Sequence, residues 1–370
     1  MRIGIDAREL QGRPTGTGRY LRSLLRNWPE TGEDTLIAYF NGRPPADAIP
    51  STGRLELRGV GDGSQRGLLW QQRALPEAAR VDGLTVFFSP AYTCPLALQV
   101  PRVTAVHDLS YFARPDEFPF WDGLRRRLLG RASLRASSRV LACSAFTHRE
   151  IAARFPDIAA RVHHVPLGAD DDLLPAPPRE AARARLGVTG PLLLAVGTLL
   201  HRRCVPELLR AVARLLPKLP ELRLHLIGEN RTHPYRDFQA LVDELGLRRN
   251  VELPGFVDEA SLAERYAAAD VALALSDYEG FGLPALEALA RGLPLVAADR
   301  PALNEVVGNA ALLVNPRDPA AIADAVAELL GDEALRGSLL ARGRARAARF
   351  SWIETAHQTR DQLKAAALSA

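Results

Sequence analysis

The sequence predicts an α/β protein of two doubly wound parallel-sheet domains facing each other across a cleft. Three observations carry this reading. Short apolar runs alternate with helix-period patterns over most of the chain, as in parallel sheets covered on both faces. A stretch rich in Pro and Asp, from Pro166-Leu167-Gly168-Ala169-Asp170-Asp171-Asp172 to Pro178, divides the alternation into two series and has the composition of a linker. The length of 370 residues suits two domains at ~150 residues each.

The first series opens with a strand at Ile3–Asp6, a Gly-containing loop, and a helix from about Gly18 to Trp28. Strand patterns follow at Thr35–Phe40, Leu84–Phe88, Val103–Val106 and Val140–Cys143, with helical patterns over 120–137 and 145–154. In the second series the strand patterns are Leu192–Val196, Leu222–Ile227, Val251–Leu253, Val271–Leu275, Leu295–Ala297 and Ala311–Val314. Helical patterns lie between them at 205–216, 235–246, 259–268, 284–291 and 319–330. Long Ala/Arg/Leu helices at 332–348 and 352–367 close the chain. The expected domains are therefore 1–170 and 171–350, with a last helical segment 351–370.

Composition narrows the function class. Apolar residues are 47% and charged residues 24%, which argues against wholesale disorder. No apolar run approaches the ~20 residues of a membrane span. Asp6 interrupts any apolar core of a signal peptide, so the cytoplasm is the expected location. Cys94, Cys143 and Cys204 are an odd, scattered set without C-x-x-C spacing, which argues against a disulfide framework or a zinc site. The formal charge of +4 is mild. Only Lys218 and Lys364 are lysines, so arginine position carries more information than arginine number. No recognition motif accompanies the arginines, and nucleic acid is not an expected partner.

Ligands of open parallel sheets bind beyond the carboxyl ends of the strands, so the loops after strands hold the candidate residues. The first loop contains Gly16-Thr17-Gly18. Its glycines let backbone N–H groups approach a phosphate at a helix N-terminus. Leu21 stands where a nicotinamide G-x-G-x-x-G fingerprint needs glycine, and no Walker A lysine follows. A flexible turn is the other reading of this loop. His107 follows strand Val103–Val106, where it could hydrogen-bond a substrate hydroxyl or serve structure alone. Gly197-Thr198 and Arg202-Arg203 follow strand Leu192–Val196, where two guanidiniums suit a diphosphate. The most specific string is Glu279-Gly280-Phe281-Gly282-Leu283-Pro284-Ala285-Leu286-Glu287. Its glycines expose amides, Pro284 suits a first helical turn, and the helix N-terminus favours an anion. Carboxylates on both sides of such a cradle suit a sugar nucleotide.

On these residues the chain resembles family 4 of the retaining glycosyltransferases. The hallmark Glu-x7-Glu is met by Glu279 and Glu287 within EGFGLPALE. Supporting strings are DAREL and TGTGRY near the start, HDLSYF at 107–112, CSAFT at 143–147, PLGAD at 166–170 and VGTLLHRR at 196–203. GFVDEASLAERYAAADVALALS at 255–276, GLPLVAAD at 292–299, LNEVVGNAALLVNPRDPAAIADAV at 303–326 and RFSW at 349–352 complete a likeness over essentially the whole chain. The resemblance implies the GT-B fold, two Rossmann-like domains with a last helix crossing back to the first. It implies donor contacts from Gly16, Thr17, Gly197, Thr198, Gly280, Phe281, Gly282, Leu283 and Glu287. It gives His107, Glu279, Arg202 and Arg203 catalytic roles: His107 and Glu279 at the transferred sugar, the arginines at the diphosphate. One departure stands out. The family commonly has Arg-Lys-Asn where this chain has Arg202-Arg203-Cys204.

The expected reaction moves a hexose, mannose from GDP-mannose first, to a hydroxyl of a glycan or lipid-linked acceptor in cell-surface polysaccharide synthesis, with the anomeric configuration retained. No cofactor and no metal are expected, since the only Asp-x-Asp letters fall in the linker. A sugar-nucleotide epimerase, or a binding protein with weak turnover, is the alternative. Segment 119–139 mixes Phe120, Trp121, Leu124, Leu128 and Leu129 with Arg125, Arg126, Arg127, Arg131 and Arg135. It reads equally as a peripheral contact with an anionic membrane or as an ordinary surface helix.

Overall fold

The computed structural model describes residues 1–12, 15–30, 34–45, 55–64, 67–169 and 176–369. Asp170-Asp171-Asp172 and the boundary placed between 170 and 171 lie outside them, as do residues 13 and 14 of the first loop. The chain forms two compact units. One comprises Met1–Ala113, Trp121–Gly168 and Ser351–Ala370; the other comprises Arg114–Phe120 and Ala169–Phe350. Residues 114–120 thus group with the second unit, although they interrupt the first in sequence.

The first unit carries seven parallel strands: β1 (Arg2–Asp6), β2 (Thr35–Asn41), β3 (Leu55–Val60), β4 (Val86–Ser89), β5 (Arg102–Val106), β6 (Arg139–Ala142) and β7 (Val162–His164). Their order is β3-β2-β1-β4-β5-β6-β7, so the winding reverses between β1 and β4. Ile3 pairs with Leu36 on one side and Val86 on the other. Residues of β1, β2 and β4 are almost all buried, which is why they read from sequence as continuous apolar runs. β3 escaped that reading because Glu56, Leu57, Arg58 and Gly59 give it no apolar run. β7 escaped because it is three residues long, two of them histidine.

The second unit carries six parallel strands: β8 (Leu192–Val196), β9 (Arg223–Ile227), β10 (Val251–Gly255), β11 (Val271–Ala274), β12 (Leu295–Ala298) and β13 (Leu312–Val314). Their order is β10-β9-β8-β11-β12-β13, with the reversal between β8 and β11. Leu193, Leu224, Leu226, Val271 and Leu273 of the sheet pack with Leu209, Val212 and Val326 of the covering helices. The helix expected over 235–246 runs only Phe238–Glu244, because Asp237 caps it by accepting from Ala240 N at 3.0 Å. Helices at Arg179–Arg185 and Pro301–Val307 were not expected; both are too short for a full periodic pattern.

The closing helix, Trp352–Leu368, packs on the first unit, as the resemblance implies. Trp352 is buried beside Tyr20, with ring centroids 6.0 Å apart. A Cβ on Gly168 would lie 2.3 Å from the Trp352 nitrogen, so glycine is needed for this approach. Thr355 Oγ1 donates to the Pro166 carbonyl at 2.8 Å, and Arg360 binds Asp34.

Candidate active site

In the first unit the helix Gly16–Arg26 is the first long helix after β1, a strand on the edge of the winding reversal. Thr15 caps it, accepting from Gly18 N at 3.0 Å. The two glycines of this loop differ. A Cβ on Gly16 would meet open space, whereas one on Gly18 would lie 2.3 Å from the Glu9 carbonyl. Gly18 is therefore a packing requirement, and Gly16 leaves the helix N-terminus uncovered, with Thr17 half-buried beside it. His107 ends β5. Its Nε2 donates to the Pro90 carbonyl at 2.8 Å, which leaves Nδ1 as the acceptor nitrogen. The rings of Tyr20 and Tyr92 meet it edge-on at 4.8 and 5.7 Å. Burial lowers the His107 pKa, so the ring is a neutral hydrogen-bonding group at neutral pH. Tyr92, which the sequence reading did not single out, sits in the left-handed region at φ 58°.

In the second unit the candidate residues lie on the two loops that follow β8 and β11, the strands flanking the reversal. Those loops are bonded together. The Arg202 carbonyl accepts from Asp277 N at 2.7 Å and from Ser276 Oγ at 3.2 Å. Arg203 Nη1 pairs with Glu279 Oε1 at 2.5 Å. The same guanidinium lies over Gly197, where a Cβ would stand 3.1 Å from Nη2; Gly197 also has φ 133°. Thr198 is exposed at the strand end. Arg202 Nη1 pairs with Glu117 Oε2 at 2.9 Å, with both side chains largely buried. Each candidate arginine is thus paired with a carboxylate. Glu117 lies in the segment that joins the second unit from the middle of the first, which is why its partnership has no local sequence signal.

Helix Leu283–Ala290 begins at Gly282, which has φ 104° and provides no side-chain cap. A Cβ there would also lie 2.6 Å from Leu303 Cδ2. The first turn thus presents backbone donors beside Gly280 and Phe281, and its dipole favours an anion. Phe281 is buried, edge-on to Phe350 at 5.8 Å. Glu287, one turn in, is only 4% exposed and its Oε2 accepts from Tyr266 at 3.2 Å. Asp277 is buried between Arg300, at 2.9 Å, and Arg317. Sequence reasoning missed Asp277, Arg300 and Arg317, although the arginines follow β12 and β13 at the sheet's carboxyl edge. Cys204 occupies a left-handed position at φ 51° and ψ 37°. Burial, reinforced by Asp277, pushes its thiol pKa up to about 12, so the thiol stays protonated.

Residues 178–346 match the family described as Glycosyl transferases group 1, and residues 14–173 match Glycosyltransferase Family 4. O-antigen chain mannosyltransferase B of Escherichia coli is 30% identical, over 93% of this chain and 94% of its own. Sucrose-phosphate synthase from Thermosynechococcus elongatus matches with a TM-score of 0.82 at 22% identity, over 100% of both chains. Anabaena HepE, solved in complex with UDP-glucose, matches with a TM-score of 0.77 at 19% identity, over 98% of this chain and 99% of its own. The chain belongs to the group 1 glycosyl transferases, and its two parallel-sheet Rossmann-like units are those of the GT-B fold.

Proposed function

We propose that this transferase moves a hexose from a nucleotide sugar to a hydroxyl of a glycan or lipid-linked saccharide, with mannose from GDP-mannose as the first donor and the anomeric configuration retained. The observation that carries the proposal is the Arg203–Glu279 pair set beside the uncapped N-terminus of Leu283–Ala290. A diphosphate needs fixed donors and positive charge, and a sugar needs a carboxylate for its hydroxyls; this loop pair offers all three. The mannosyltransferase relative supports mannose, and the HepE complex supports a nucleotide sugar as donor.

In the step proposed, the bond from the anomeric carbon to the diphosphate oxygen breaks and the diphosphate keeps the electron pair. The acceptor oxygen attacks from the same face, and its proton passes to the departing phosphate. Arg202, Arg203 and the helix N-terminus stabilise the growing negative charge. This would need neither a divalent metal nor a cofactor, and the protein would work in the cytoplasm. The outward side of helix Phe120–Ala136 shows Trp121 at 77% exposure with Leu128, Arg125, Arg126 and Arg131, whereas Gly123, Gly130, Ser133 and Leu134 are buried. We include in the proposal a peripheral contact of this side with an anionic membrane.

Thermal melts with GDP-mannose, UDP-glucose, UDP-N-acetylglucosamine, NAD, GDP and UDP, each with Mg²⁺ or EDTA, test the donor. A rise in Tm with one sugar nucleotide, equal in EDTA, is expected. A response to NAD alone, or to no sugar nucleotide, overturns the reading, and loss of the response in EDTA overturns metal independence. Retention is checked by the anomeric coupling of the product. Co-sedimentation with phosphatidylglycerol vesicles, lost in a Trp121→Ala, Leu128→Ala double variant, checks the membrane contact.

A further inference from the structure

The loop 90–96, which follows β4, holds His107 from two directions. The Pro90 carbonyl takes the Nε2 proton at 2.8 Å, and the ring of Tyr92 meets the same imidazole edge-on, with centroids 5.7 Å apart. Tyr20 of helix Gly16–Arg26 forms the second wall at 4.8 Å and is itself backed by Trp352 at 6.0 Å. Behind Tyr92 stands the buried Tyr111, edge-on at 5.9 Å. Edge-on rings at these distances attract, so each wall resists rotation of the imidazole about its Cβ–Cγ bond. Such a rotation would break the bond to Pro90, and with it the reason for Nε2 to carry the proton.

Tyr92 reaches this place at a cost. Its φ of 58° lies in the left-handed region, which a bulky residue rarely adopts. Glycine would make the same bend freely, so what tyrosine adds here is its ring. Strain of this kind persists where the surroundings over-determine the backbone. They do so here. Tyr92 N donates to the Ala105 carbonyl of β5 at 2.9 Å. Gln71 Nε2 donates to the Thr93 carbonyl and Gln71 Oε1 accepts from Thr93 Oγ1, both at 3.0 Å. Gln72 Nε2 donates to the Cys94 carbonyl at 2.9 Å and Gln72 Oε1 accepts from Leu96 N at 3.0 Å. Both glutamines lie in the π-helical turn Trp70–Ala74, a form that concentrates at functional sites.

We infer that Tyr92 is a positioning residue: its left-handed backbone aims a ring that, with Tyr20, locks the His107 imidazole as the Nε2–H tautomer and fixes Nδ1 as the acceptor for a substrate hydroxyl, a role that rests on the transferase reading of His107 above. The test uses the full chain. Tyr92→Phe keeps the ring, whereas Tyr92→Gly suits the backbone and removes it; Tyr92→Asn, which also tolerates the left-handed region, replaces the glycine variant if that one fails to fold. The first readout needs no donor: NMR of isotope-labelled histidine nitrogens, with the His107 signals identified by their loss in His107→Ala. Wild type and Tyr92→Phe should show a single Nε2–H tautomer, and Tyr92→Gly a mixture of the two. The second readout is release of nucleoside diphosphate from the sugar nucleotide that raises Tm, with octyl α-D-mannoside present. Tyr92→Phe should keep kcat within about 3-fold, and Tyr92→Gly should lower it about 10-fold or more, as misplacement of a catalytic group does. In a His107→Ala background Tyr92→Gly should lower kcat by no more than about 2-fold further, since its effect runs through the imidazole. A single Nε2–H tautomer that survives in Tyr92→Gly overturns the inference. Equal losses of kcat in both backgrounds overturn it too, as a merely structural role would give them, and so does a Tyr92→Phe variant as impaired as Tyr92→Gly. A protein that no sugar nucleotide stabilises overturns the transferase reading instead, while the histidine spectra still judge the lock on His107.

Discussion

Position 204 is left-handed, and a cysteine fills it. Asn and Gly tolerate that conformation, while other L-residues pay roughly 1 kcal/mol for it. The asparagine common at this place in the resembling family therefore has a backbone reason as well as a hydrogen-bonding one. The Cys204 thiol makes a weak contact to the Arg202 carbonyl, 3.6 Å away. Cys204→Asn is expected to raise stability by about 0.5–1 kcal/mol and Tm by about 2 °C, read by calorimetry. A fall in Tm would mean that packing of the buried thiol outweighs the backbone strain. Single residues were legible in the sequence where their chemistry needs little context. Gly282 was chosen for its backbone, and it does occupy a conformation that only glycine adopts freely. Glu117 and Asp277 were not legible, because their roles come from partners 85 and 23 residues away.

Two loops after β8 and β11 form one mechanical element. Asp277 joins them: its backbone N–H holds the Arg202 carbonyl, and its carboxylate is gripped by Arg300 and Arg317. Removing that carboxylate frees two guanidiniums and loosens the turn that carries Arg202 and Arg203. Breaking a buried pair costs about 3–5 kcal/mol, but the arginines here are partly solvated, so Asp277→Ala is expected to cost about 1–3 kcal/mol. The donor KM should rise with it, because the arginines lose their alignment. Urea unfolding and donor titration check the two effects; a stable variant with unchanged donor KM would show that Asp277 does not position the loop. At this scale the strands of both sheets were legible wherever they are buried on both faces, since burial writes an apolar run into the sequence. Exposed β3 and the three-residue β7 leave no such record. Strand order was not readable either, because the reversals that put these loops side by side are long-range choices.

At the scale of the whole molecule, three histidines set the response to mild acid. His107 and His163 belong to the first unit and His225 to the second. Burial lowers the pKa of each, chiefly by penalising the charged ring; Arg139 and His148 add to this at His163. At His225, Glu252 opposes the shift while Arg265 and Arg223 reinforce it. Geometry explains the resistance of His225. Its Nε2 lies 3.1 Å from Glu252, and its Nδ1 is buried without a partner among the described residues, so a second proton would enter a site where they supply no acceptor. Below the ordinary histidine value of about 6.5 the unfolded chain binds protons that the folded chain refuses. Stability is therefore fully present above that pH and falls as pH drops through it, by up to about 1.4 kcal/mol per pH unit for His107 and His225 and by less for the half-exposed His163, where solvent screens the shift. Asp34 and Asp122, whose pKa values are lowered, lose their contribution only nearer pH 4 and do not act in this window. Glu9, with its raised pKa, acts in the opposite sense as pH falls. Calorimetry at pH 7.5, 6.5 and 5.5 should show Tm falling steadily, with the first unit, which holds two of the three histidines, falling further if the units melt separately. His225→Gln should flatten the response of the second unit while leaving the first as it was. A Tm that holds or rises between pH 6.5 and 5.5 would mean that the buried histidines take up protons in the folded state after all, and that Glu252 rather than burial governs His225.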